Sequence, residues 1–122
     1  MIDNTALLRA TLVGTVLQVA MVVIGHFVPW VALHVFMLGG MGISALAGGL
    51  YAHDAANGYG RGALGGAIAG GVCALLGIAV SVILGDTATN ILILGTASSA
   101  VTGAVGGLFG QLSSGRSAAA QN

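Results

Sequence analysis

The stretch Gly25-His26-Phe27-Val28-Pro29-Trp30 decides how the chain is read, because it interrupts residues 10–53, a run without a formal charge. As one helix that run would extend about 66 Å, roughly twice the hydrocarbon thickness of a bilayer. Pro29 lacks a backbone donor and biases Val28 toward extended geometry, while Trp30 favours the headgroup level. The run therefore folds back once, which predicts a first helix over about 7–25 and a second over about 30–52. Two further uncharged segments, 62–85 and 87–115, are each long enough for one span. The chain reads as an all-α integral membrane protein with four transmembrane helices. They form two tandem helical hairpins, about 7–52 and about 62–112, within one domain at 1–112. The Ser-, Ala- and Gln-rich residues 113–122 lack periodicity and read as a disordered cytoplasmic tail.

Three Arg and three Asp carry all the formal charge of the 122 residues, 57% of which are hydrophobic and 22 of which are glycine. No helix has a face for water, so the lipid bilayer is the solvent. Without a basic cluster nothing displaces counterions from phosphates, which argues against nucleic acid as a partner. In the four-span reading Arg9, Arg61 and Arg116 all fall on one side, and short Arg-bearing loops stay in the cytoplasm. Both termini are therefore expected inside, with the Pro29 and Asp86 turns outside. Trp30 then fits an outer aromatic belt, and Tyr51 and Tyr59 an inner one. Asp3 ahead of a lone Arg9, with no cleavage site, argues against a signal peptide, so the first helix is expected to stay. Cys73 stands alone inside a helix, so no disulfide framework exists. Heavy use of Ala and Gly without Lys or Glu suggests a GC-rich bacterial gene and hence the cell inner membrane.

A shift of about 52 residues lays Arg9-Ala10-Thr11-Leu12-Val13-Gly14 on Arg61-Gly62-Ala63-Leu64-Gly65-Gly66, and a shift of about 58 lays Gly48-Gly49-Leu50-Tyr51 on Gly106-Gly107-Leu108-Phe109. Two hairpins of the same orientation imply a pseudo-twofold axis along the membrane normal. Small residues recur every fourth position at Gly62, Gly66, Gly70 and Ala74, at Gly95, Ser99, Gly103 and Gly107, and at Gly40, Ser44 and Gly48. Thr102, Gly106 and Gly110 form a neighbouring stripe. In lipid no hydrophobic drive acts between helices, and close backbone approach at such glycine-zipper stripes holds bundles together. With two small faces on the last helix, the stripes are expected to serve internal packing or a homo-oligomer interface.

Few groups remain for chemistry. Gln18 near the middle of the first helix needs hydrogen-bond partners, and Ser44, Ser98, Ser99 and Thr102 lie at similar depth. Gln18, Ser44 and Ser99 are thus either interhelical ties or the lining of a polar path. His26, His34, Met37 and Met41 form a metal-capable group at the outer hairpin, suited to copper or haem, with no carboxylate foreseen to orient the rings. Asp86, Thr87 or Thr89 is expected to cap the last helix, and His53-Asp54 to lie in a short polar loop. No Asp or Glu lies in a span, which disfavours a carboxylate-coupled antiporter, and Ser, His and Asp are scattered across both sides, which disfavours a hydrolase. The expectation is a non-catalytic protein without a required cofactor that self-assembles or serves as accessory or scaffold subunit of a membrane complex. The alternative is a small channel or transporter for a neutral or weakly charged solute.

Overall fold

The computed structural model describes residues 4–56 and 58–121, with the side chains at 32, 33, 37 and from 114 onward outside that description. The described chain is all-helical, with α1 at Asn4–Phe27, α2 at Pro29–His34, α3 at Phe36–Ala55, α4 at Tyr59–Ile83 and α5 at Asn90–Gln121. Three helices are long and apolar enough to cross a membrane, namely Asn4–Phe27, Tyr59–Ile83 and the Asn90–Ser113 part of α5. The break at Val28 falls where Pro29 requires it, with Val28 extended at φ −122° and ψ 90° and Pro29 in the first turn of α2.

The helix expected over 30–52 is not continuous. Val35, at φ −110° and ψ −30°, separates α2 from α3. His34 Nδ1 donates to the carbonyl oxygen of Trp30 at 3.0 Å, and its ring stacks on the Trp30 indole at 4.9 Å. A side chain thus enters the i to i−4 ladder just before the bend, a recognised cause of kinks. The ladder resumes at once, through Val35 N to Val31 O at 2.8 Å and Gly39 N to Val35 O at 2.6 Å.

Helix directions follow from facing residues. Gly14 lies beside Cys73 and Gln18 beside Gly77, so α1 and α4 run parallel. Ala45 meets Gly106 and Gly49 meets Gly110, so α3 and α5 are parallel too. Gly62 against Gly107 and Gly66 against Gly103 make α4 and α5 antiparallel. Helices α3 and α4 pack together in the centre, and α1 and α5 each lean on both of them. Among the described residues α1 and α5 do not touch. A strict twofold relation between the hairpins would carry the α3–α4 contact onto α1–α5, so the packing departs from the symmetry expected of a duplication.

The interior inverts the usual size order. Apart from Val22 and Tyr51, the buried described side chains are Ala, Ser, Cys and Gln, accompanied by glycines. Leu8, Leu12, Val16, Leu38, Ile83, Ile93, Val101 and Phe109 point outward. That arrangement suits a bundle in lipid, where large apolar side chains gain nothing by burial and small ones permit close contact. A methyl placed on Gly66 would strike the Gly103 carbonyl, and one on Gly103 would strike the Gly66 carbonyl. A methyl on Gly70 would lie 2.9 Å from Gly103 Cα and 3.0 Å from the carbonyl oxygens of Ser44 and Ser99. Gly62 and Gly107 face each other in the same way, whereas Gly95 is closed by the Ile78 side chain.

The second small stripe of α5 also makes contacts within the chain. Gly106 abuts the Ala45 carbonyl and Gly110 the Gly49 carbonyl, so both faces of α5 are used inside one chain. Tyr51 also departs from expectation. It is fully buried rather than set in an inner belt, and a methyl on Gly65 would overlap its ring. Gly65→Ala is expected to cost about 3 kcal/mol, because the ring has no free space to enter. Reversible unfolding in micelles checks this, and the cost should largely vanish in a Tyr51→Ala background.

At the Arg9 end, α3 continues through His53 and Asp54, which are helical rather than part of a loop, and Arg9 Nη1 lies 3.6 Å from Asp54 Oδ2. Ala56 and Gly58 turn the chain with φ of 49° and 109°, and Gly58 N donates to Gln111 Oε1 at 3.2 Å. The backbone of α5 is helical to Gln121. Arg116 and the other tail side chains lie outside the described residues.

Candidate functional site

The sequence singles out Gln18 as a polar group with nowhere to go in hydrocarbon, and the fold gives it a seat. Gly77 on α4 makes the room, since a methyl there would lie 2.7 Å from Gln18 Cβ. On the other side, Gln18 Nε2 donates to the Gly40 carbonyl at 3.0 Å and to Ser44 Oγ at 3.3 Å. Ser44 Oγ in turn donates to the Gly70 carbonyl at 3.2 Å, which also accepts from Cys73 Sγ at 3.3 Å. Gln18 is only 3% exposed, and this chain ties α1 to α3 and α3 to α4 in the middle of the bundle. Each tie avoids the several kcal/mol that an unsatisfied polar group costs in lipid.

Toward the Asp86 end the bundle opens. Because α1 and α5 do not meet, a cleft of about 720 Å³ runs inward, with Gln18, Gly40, Ala74 and Ser99 along it deeper down and Asp86, Thr87 and Ala88 nearer the turn. Phe36, Met41, Ile78, Ile91 and Leu94 supply apolar walls. Gln18 lies nine residues before the end of α1, so the cleft reaches about 14 Å below that end. The candidate polar residues Gln18, Ser44 and Ser99 are thus brought close together. Gln18 and Ser99 line the cleft, and Ser44 holds Gln18 from behind.

The mouth carries a hydrogen-bonded His–Asp pair that periodicity did not foresee. His26 Nδ1, in the last turn of α1, lies 2.8 Å from Asp86 Oδ2, in the turn between α4 and α5. A carboxylate is therefore available to orient His26 after all. Asp86 stands four residues ahead of Asn90, where α5 starts, and its Oδ2 is directed to α1. Thr87 is engaged as well, sharing a 2.6 Å hydrogen bond with Ser81 Oγ. The turn itself is set by Gly85, whose φ of 82° ends α4, with Asp86 N donating to Ser81 O at 3.0 Å. His26→Ala is expected to leave the helix core protected while backbone amides of residues 81–90 exchange faster with deuterium, by about fivefold for a lost tie of about 1 kcal/mol.

Three members of the metal-capable group, His26, His34 and Met41, have described side chains. His26 turns to Asp86 and His34 folds onto Trp30, which leaves each ring only Nε2. Met41 lies in the cleft wall, and the Met37 side chain falls outside the described residues. Among the described residues no three His, Cys, Asp or Glu side chains come together as metal ligands.

No protein-family model matches the chain, and neither a curated protein nor a solved structure matches it. Its function is therefore argued from the cleft and the packing alone.

Proposed function

We propose that the chain is a four-span, non-catalytic membrane protein that takes a small uncharged or weakly charged solute into its cleft, as a small transporter or channel does. In this reading α2 and α3 together make the second crossing, and α1, α4 and α5 the other three. The shared side of Arg9, Arg61 and Arg116 supports a topology with both termini in the cytoplasm, in which the cleft opens outward from a bacterial inner membrane. The observation that carries the reading is the cleft itself, walled by apolar side chains and floored by a buried amide. Such a combination of apolar lining and a few placed polar groups is the usual make-up of a small-molecule site.

A short alkyl alcohol bearing a diazirine tests it directly in nanodiscs. After irradiation, labelling should concentrate on Ile78, Ile91 and Leu94, and Ile78→Trp should remove it. Labels spread over the lipid-facing Leu12, Val16 and Val101 would instead mean that the cleft holds no solute.

A second reading, self-assembly or service as an accessory subunit, is favoured by a separate feature. Ala45, Leu46, Gly49, Leu50, Gly106, Phe109 and Gly110 line a shallow apolar groove between α3 and α5. A helix of a second copy fits a groove of that kind, with small residues at its base and larger ones on its rim. Native mass spectrometry of gently extracted protein should then give a single oligomer that Ala45→Phe reduces to monomer. A monomer before the substitution excludes this assembly.

A further inference from the structure

The cleft carries more information than its size, because the orientation of the Gln18 amide is fixed by its surroundings. The Gly40 carbonyl can only accept, so the atom facing it at 3.0 Å must be the amide nitrogen. That nitrogen has two hydrogens, and the second is directed at Ser44 Oγ, whose own hydrogen goes to the Gly70 carbonyl. Both donors of the amide are therefore committed to α3. What Gln18 retains for anything in the cleft is Oε1, an acceptor with two lone pairs.

Around it the surface offers little else of a polar kind. Ser98 and Ser99 bring hydroxyls from α5, while Phe36, Ile78 and Leu94 are apolar. Asp86 at the mouth is a second acceptor, with His26 held against it. Floor and mouth alike therefore present oxygen acceptors. A ligand that only accepts hydrogen bonds would leave Oε1 facing it unpaired, and sites of that sort reject such analogues strongly.

We propose that the cleft selects an uncharged molecule with an apolar body and a hydroxyl or N–H group, which it donates to Gln18 Oε1. The proposal rests on the solute-binding reading and adds the ligand's chemical class. A matched series isolates it: 2-naphthol, 2-methoxynaphthalene and naphthalene share one body and differ only in a donor, an acceptor or neither. Binding to the full chain in nanodiscs is read by saturation-transfer NMR against empty nanodiscs, which removes partition into lipid. The expected order places 2-naphthol about tenfold tighter than 2-methoxynaphthalene, the equivalent of one hydrogen bond together with an avoided unpaired acceptor.

Gln18→Leu should bring 2-naphthol down to the level of the methyl ether, and Ile78→Trp, which fills the wall without touching the amide, should remove all three. The second substitution keeps the test decisive if the first fails to fold. Equal binding of 2-naphthol and its methyl ether, abolished by Ile78→Trp, would overturn the donor preference while leaving the cleft a solute site. Absence of saturable binding by any of the three would overturn both.

Discussion

Gly103→Leu is expected to yield no folded bundle. Gly103 sits at a point of close backbone contact, where a methyl would strike the Gly66 carbonyl and approach Gly70 Cα to 3.0 Å, and where the Gly103 carbonyl itself blocks any methyl on Gly48. Three helices, α3, α4 and α5, therefore meet at this one backbone position. A leucine there cannot be relieved by turning a side chain, because the atoms in its way are backbone. It has to push α5 away from α4 or α3, undoing the contacts of Gly66, Gly70 and Gly107 together. The expected cost exceeds about 4 kcal/mol, large enough to consume most of the stability of a small protein. Size-exclusion profiles and thermal unfolding in mild detergent give the readout. Val101→Leu, two residues away on the outward face of α5, should leave both unchanged. A native-like profile for Gly103→Leu would mean that the helices are not packed through this residue.

Gln18→Leu should have the largest effect on function. Leucine approximates the volume of the side chain but supplies neither the amide hydrogens that Gly40 and Ser44 use nor the remaining acceptor, Oε1. Loss of these hydrogen bonds should cost stability about 1–2 kcal/mol, since interhelical hydrogen bonds in membranes contribute modestly. Solute binding should fall about tenfold, because the floor of the cleft loses the amide acceptor. The separation of the two magnitudes identifies the role. A purely structural amide would lower the unfolding temperature and leave binding by the remaining folded protein intact.

Much of this molecule can be read from the sequence because lipid imposes few solutions. Pro29 and the long uncharged runs locate the helix breaks, and the four-residue spacing of Gly62, Gly66 and Gly70 marks a surface meant for another backbone. Which backbone that is cannot be read from one helix. Gly106 and Gly110 resemble a stripe without an internal partner until the Ala45 and Gly49 carbonyls of α3 are seen against them, and Tyr51 resembles an interfacial aromatic until Gly65 is seen to open a seat for its ring.

The same limit explains the bend at Val35. The apolar run passes straight through it, and what stands beside the break is a His34 contact to a carbonyl one turn back. At the candidate site, Gln18 is conspicuous from composition alone, and Ser44 and Ser99 were identifiable by depth. The cleft was not, because it exists only where α1 and α5 fail to meet. Nor was the His26–Asp86 pair, whose members stand 60 residues apart in the chain.

The account depends most on the claim that the bundle is open at its Asp86 end and sealed by glycine packing below. Single cysteines at Ile91, Ser98 and Gly103 in a Cys73→Ala background, exposed to a small water-soluble thiol reagent in oriented vesicles, test that claim. Ile91→Cys and Ser98→Cys should react from the Asp86 side alone, and Gly103→Cys, should it fold, from neither. Reaction of Ser98→Cys from the Arg9 side, or its protection from both sides, would contradict the account.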